Sequence, residues 1–277
     1  MRTPGEVLRI RQVTPAYWVA IFHNPPLNVI DGAMLTALSG LVDQIEADDQ
    51  VKVVVFETGN ADYYLAHFDL TGASAEVSRR LGPTGLPITQ DILTRLSRSP
   101  VVSIAKIRGR ARGLGSEFVL GLDLRFGSRE NMLIGQPEVG SGLVPGTGGI
   151  DRLALLAGRG RALEIVLGSD DFDGPTAELY GIINRTVADP QLDRFTDAFA
   201  RRIAAFDRGT LGAAKSLVND LTLPSADHIR LSQQAFRQAL ELPETDLRVK
   251  RLFDRGLQQP GELEERFGAL LPSLMED

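Results

Sequence analysis

IRGRARGLGSEFVLGLD, residues 107–123, decides how this chain is read. The apolar run VVSIAKI at 101–107 predicts a strand leading into it, the glycines Gly109, Gly113 and Gly115 predict a turn, and the remainder predicts a short apolar helix carrying one carboxylate, Glu117. A strand that feeds a glycine turn into a helix leaves unpaired backbone N–H groups at the positive end of the helix dipole, where negative charge is held. Glu117 lies three residues beyond Leu114, so on a helix its side chain shares a face with the Leu114 amide. An anion-stabilising amide beside a carboxylate base suits enolate chemistry.

Upstream, VLRIRQ (7–12) and YWVAIF (17–22) predict a hairpin turned at Thr14 and Pro15. Two prolines in HNPPLNVID stop the second strand, and Asp31 is placed to cap a helix from about 32 to 47 with Met34, Leu35, Leu38, Leu41, Val42 and Ile45 inward. VKVVVFET (51–58) reads as a buried strand, YYLAHFDL follows, and 71–85 reads as a loop without periodicity before a helix starting at Ile88. Downstream, LRFGS and MLIGQ read as two short strands, and QPEVGSGLVPGTGG (136–149) is a second glycine-rich loop feeding a helix at 150–157. From Arg159 onward the pattern is helical, with one short strand at NRTV and helical runs at 190–206, 210–221, 226–240, 245–256 and 260–270.

The glycines also fit the G-x-x-x-G-x-G pattern of short-chain dehydrogenases, but that fingerprint belongs on the first strand, and none of Tyr17, Tyr63, Tyr64 or Tyr180 is followed four residues later by lysine. By itself Glu117 is equally a helix residue favoured by the dipole. Glu138, in GQPEVG on the second glycine-rich loop, changes that reading, because two carboxylates on separate glycine-rich elements can hold a water between them. Alone, Glu138 could simply face solvent.

Residues 18 to about 200 resemble the enoyl-CoA hydratase/isomerase (crotonase) superfamily through NPPLNVI, LAHFDL, the G-x-x-x-G-x-G-x-E run ending in Asp123, GQPEVGSGLVPGTGG and the RL at Arg152 and Leu153. The resemblance implies an α/β fold, a crotonase-like spiral of strand, strand, helix units over 1–205, with a helical C-terminal trimerisation region at 206–277. It implies an acyl-CoA thioester as substrate, coenzyme A as part of that substrate with no tightly bound cofactor, and a homotrimer or dimer of trimers. It places an oxyanion hole on the backbone amides of Ala66 and Leu114, the catalytic pair on Glu117 and Glu138, and substrate contacts at Asn28, His67, Asp69, Leu70 and Gly113. Water addition to a 2-enoyl-CoA is the implied reaction; isomerisation, C–C hydrolysis and a non-catalytic acyl-CoA scaffold are the alternatives on the same fold.

Three departures stand out. Leu114 and His67 occupy positions where the family has glycine, and DLRVKRLFDRG lacks the C-terminal pattern of the family, leaving Lys250 and Arg251 as candidates for coenzyme A phosphates. His67 reads first as a wall of the pocket and second as an acid or base. His23 and His228 read as structural or surface residues.

Composition bounds the rest. The 277 residues are 43% hydrophobic and 24% charged, with a net charge of −6 and no cysteine. No apolar run approaches the roughly 18 residues of a membrane span, and the first residues lack a secretory pattern. The acidic balance argues against nucleic acid, the absence of cysteine fits a reducing cytoplasm, and no His, Asp and Glu spacing suits a metal.

Overall fold

A computed structural model describes residues 4–275. The strands are β1 (Leu8–Thr14), β2 (Tyr17–Phe22), β3 (Val53–Thr58), β4 (Tyr63–Leu65), β5 (Val102–Arg112), β6 (Leu124–Gly135), β7 (Asp171–Asp173) and β8 (Arg185–Val187). Up to the end of the last strand, the helices are α1 (Pro4–Val7), α2 (Gly32–Ala47), α3 (Ala75–Arg79), α4 (Ile88–Arg98), α5 (Leu114–Gly121), α6 (Gly149–Gly168) and α7 (Gly174–Leu179). Beyond it the chain is helical: α8 (Asp189–Ala204), α9 (Arg208–Thr222), α10 (Ala226–Leu240), α11 (Pro243–Asp254), α12 (Glu262–Glu265) and α13 (Phe267–Met275).

All the strands join one mixed sheet. Its path runs β1-β2-β3-β5-β6-β7, with β4 added to β5 and β8 added to β6. β1 and β2 form the antiparallel hairpin, whereas β2, β3, β5 and β6 pair in parallel, as their near-continuous apolar runs require. The order β1-β2-α2, then β3-β4-α3-α4, repeats the expected strand, strand, helix unit. α2 starts where Asp31 accepts a hydrogen bond from the Met34 amide at 2.8 Å, and its six expected inward residues are all buried.

Two long strands carry the site. β5 runs through Gly109 to Arg112, past the point where the turn was expected, and β6 is one strand where two were expected. The pairing steps from Ile107↔Gly127 to Gly109↔Met132, so β6 accommodates extra residues around exposed Arg129, Glu130 and Asn131 and then resumes. That bulge explains the polar interruption in the sequence. The region expected to be loop from 71 to 85 contains the short helix α3.

The sheet is covered on both faces. Trp18, Ala20 and Phe22 point into the main core against α2, α4 and α5, while Tyr17 and Val19 alternate outward to pack beneath α8 with Leu192 and Ala200. A smaller cluster of Leu252, Leu257, Leu263, Phe267 and Leu271 gathers α11 to α13 against Leu70. No helix among the described residues is long and apolar enough to cross a membrane.

Candidate active site

β5 hands over to α5 through a glycine whose backbone conformation L side chains rarely adopt. Gly113 has φ +51°, and a Cβ there would lie 3.0 Å from Oε1 of Glu138. Two residues on, Gly115 lets α5 press against the Leu65 carbonyl of β4, a contact that a side chain would block. The first amide of α5, Leu114 N–H, has no partner among the described residues, as expected of a helix N-terminus whose cap residue is glycine. Leu114 lines a cavity of about 460 Å³ together with His67, Phe68, Gly113, Glu117 and Glu138.

Glu117 and Glu138 meet in that cavity from different elements. Glu117 sits one turn into α5 and is buried; its Oε1 accepts backbone hydrogen bonds from Thr147 at 2.7 Å and Gly149 at 2.8 Å. Arg152, on the first turn of α6, donates from Nη1 to the Thr147 carbonyl at 3.0 Å and so pins the loop that supplies those amides. Burial raises the pKa of Glu117, and the Gly149 and Thr147 hydrogen bonds and the Arg152 charge work against the rise. Glu138 has only its own backbone amide to work against the rise. It is buried, its Oε2 has no hydrogen-bond partner, and burial together with the Glu117 charge pushes its pKa well above the carboxylate range. Of the two carboxyls in this cavity, Glu138 has the surroundings that favour the proton and Glu117 those that favour the charge.

Ala66, where the first amide of an oxyanion hole was expected, does not line the cavity. It is fully buried, and its N–H donates to the Asn28 carbonyl at 3.3 Å. A parallel bridge pairs Ile30 with Phe68, in which Ile30 receives the Asp69 amide and donates to the His67 carbonyl. The alternation of an extended chain then turns the Phe68 N–H away from Ile30, and it has no acceptor among the described residues. Phe68, two residues later than predicted, therefore brings an open amide to the cavity alongside Leu114.

Two predicted substrate contacts are corrected as well. Asn28 is wholly buried and braces the loop, donating to Thr58 Oγ1 at 2.8 Å and to the Tyr63 and Tyr64 carbonyls. Asp69 accepts from Thr71, Ser74 and Gln258, which hold its carboxyl below its ordinary pKa despite burial, and it does not line the cavity. Leu70, Gly113 and His67 do line it.

His67 is no free acid or base. Its Nδ1 lies 2.9 Å from the Phe68 carbonyl and its Nε2 2.9 Å from the Glu264 carboxylate, both acceptors, so both ring nitrogens carry protons. Burial alone would lower the His67 pKa, but the Glu264 charge and hydrogen bond outweigh it and raise the pKa above the ordinary histidine value. Glu264 also accepts the Gln258 amide at 2.7 Å, and Gln258 in turn bonds Leu70 N and Asp69. This partner was invisible in the sequence because 197 residues separate the pair. Lys250 forms an ion pair with Asp254 on the outside of α11 and does not reach the cavity.

A family model described as enoyl-CoA hydratase/isomerase matches residues 18–246. A crystal structure of a Streptomyces avermitilis protein named as an enoyl-CoA hydratase matches with a TM-score of 0.92 and 40% identity, covering 98% of each chain. The short-chain-enoyl-CoA hydratase of Clostridium acetobutylicum is 26% identical over 226 residues, 80% of this chain and 78% of its own. A Mycobacterium avium protein named as an enoyl-CoA hydratase is 29% identical over 223 residues, covering 78% of this chain and 83% of that one.

Proposed function

The chain belongs to the enoyl-CoA hydratase/isomerase family, and from that premise we propose that it adds water across the double bond of a 2-enoyl thioester of coenzyme A. One observation carries the reading: two buried carboxyls face one cavity, one held by the amides of two other residues and the other with an unpartnered oxygen and biased to keep a proton. The amides of Phe68 and Leu114 receive the thioester oxygen and stabilise the enolate. A single such donor is typically worth about 2.7 to 4 kcal/mol of barrier.

Glu117, ionised, accepts a proton from the water that attacks the β carbon. Glu138, protonated, delivers its proton to the α carbon, and proton exchange with solvent resets the pair for the next turnover. Coenzyme A is carried as part of the substrate. The chain works in the cytoplasm as a homotrimer or dimer of trimers, an assembly supported by the exposed leucines of α6 and α9.

Crotonyl-CoA hydration followed by loss of enoyl absorbance tests the assignment. Glu117→Gln and Glu138→Gln should each lower kcat by roughly 10²- to 10⁴-fold. Variants that both keep wild-type turnover would remove the two carboxyls from the mechanism.

A further inference from the structure

We propose that the end of the cavity between α3 and α10 binds a carboxylate on the acyl group, making the preferred substrate an enoyl thioester whose tail ends in an acid. This rests on the hydratase reading for the direction in which the substrate lies.

The thioester oxygen belongs at the Phe68 and Leu114 amides and the double bond at Glu117 and Glu138, so the acyl tail continues past Glu117. What lies beyond Glu117 is traceable through contacts. The loop that supplies its amides is fixed at Gly146, whose carbonyl accepts from Gln90 of α4 at 2.9 Å and whose Cα faces Phe236 of α10, leaving no room for a side chain. Arg237 follows Phe236 on α10. On the opposite side, the Arg80 carbonyl accepts the first amide of α4, from Ile88, at 2.8 Å, which sets Arg79 beside that helix.

Arg79 and Arg237 both line the cavity, each as an exposed side chain, and the proposal assigns them to its tail end. Neither has an ion pair or hydrogen bond among the described residues. The acids that could neutralise Arg79 are occupied: Asp91 accepts from Thr84 and pairs with Arg95, and Glu76 pairs with Arg80. Glu241, also on the rim, lies one turn beyond Arg237 but forms no ion pair with it. The end carries two positive groups and one negative, with Ser78, Thr89 and Gln233 as neutral polar neighbours. Ser78 and Thr89 already donate to the Ala75 carbonyl and to Gln90, so the two guanidinium groups are what a tail meets, and a methyl end offers them no acceptor. A carboxylate accepts from a guanidinium through paired, charge-assisted hydrogen bonds.

Binding of saturated thioesters, which cannot be hydrated, tests this without turnover. Titration calorimetry would compare hexanoyl-, octanoyl- and decanoyl-CoA with adipoyl-, suberoyl- and sebacoyl-CoA on the wild type and on Arg79→Gln/Arg237→Gln. At the chain length that reaches the rim, the acid-ended thioester should bind about tenfold tighter than its methyl-ended match, a ratio in keeping with two partly exposed charged contacts. In the double variant that ratio should fall to about one. Equal affinities within every pair on the wild type would overturn the proposal. So would a matching loss of affinity for free coenzyme A in the variant, which would assign the arginines to its phosphates. Crotonyl-CoA, which has no terminal acid, separates the two readings: hydration without a carboxylate preference sinks this inference alone, and a carboxylate preference without hydration sinks the hydratase alone.

Discussion

Glu117 and Glu138 are the same residue type in one cavity, and their neighbours assign them opposite tasks. The positive charge that acts on Glu117 is Arg152, which also holds the Thr147 carbonyl. An opposite charge favours the ionised form, so removing it makes Glu117 harder to ionise and leaves the base available only at higher pH. Arg152→Met should therefore move the acid limb of the kcat/KM profile to higher pH and reduce activity below neutrality by roughly tenfold. The alkaline limb, where the raised Glu138 loses its proton, should shift far less. An acid limb unmoved in Arg152→Met would show that the two amides alone keep Glu117 ionised.

At the scale of elements, the segment through α12 is fastened to the cavity wall by Gln258, by Arg110 and Arg112 on the Glu265 carbonyl, and by the His67 imidazole on Glu264. His67 must donate from both nitrogens, and a neutral ring loses one of the two bonds whichever tautomer it takes. The raised His67 pKa means that its share of stability is complete below the unfolded histidine value of about 6.5 and fades as pH rises through the higher folded value. Glu264 is depressed by His67, in spite of burial, so its share is complete above about 4.3 and is lost as pH falls through its lower folded value. Removing one partner of a buried pair typically costs about 3 to 5 kcal/mol. Glu264→Ala should show such a loss in urea unfolding at about pH 6 and a smaller loss in alkaline buffer; a loss that does not change with pH would mean that His67 is neutral. Such a fastening is beyond sequence reasoning, since nothing in LAHFDL announces an acid far down the chain. The same motif shows where pattern matching stops: the choice between the Ala66 and Phe68 amides depends on which way an extended chain faces Ile30, and that register exists only once the bridge has formed. By contrast, α2, its Asp31 cap and the β1-β2 hairpin were legible, because local periodicity and a local side-chain hydrogen bond determine them. β6 lay between these cases, its polar bulge imitating a break between two strands.

For the whole molecule, α9 presents its faces in an unusual sense. Its polar side holds it to the core, with Lys215 donating to the Leu96 and Val101 carbonyls and pairing with Asp123 at 2.6 Å. Its apolar side faces outward, with Leu217, Val218 and Leu221 at 69%, 60% and 85% exposure, while Leu163 and Leu167 of α6 are also uncovered. An apolar face of this size on a helix held by its polar side suits burial in an assembly, and the proposed homotrimer would cover it with copies of the same chain. Burying one leucine is worth about 1.5 to 3 kcal/mol, so acids at two of these positions should outweigh the assembly. Sedimentation velocity should find the wild type as a trimer or hexamer and Leu217→Glu/Leu221→Glu as a monomer; a monomeric wild type at micromolar concentration would refute the assembly. Dissociation should also reach the chemistry. α10 follows α9 directly, packs on α6 and supplies Gln233, Phe236 and Arg237 to the cavity. If neighbouring copies clamp α9, freeing it loosens the α10 wall of the cavity, while the first turn of α6 keeps its own hold on Glu117 through the Gly149 amide and Arg152. The monomeric variant should therefore lose activity mainly through a higher KM, the kinetic mark of weakened binding around intact catalytic groups.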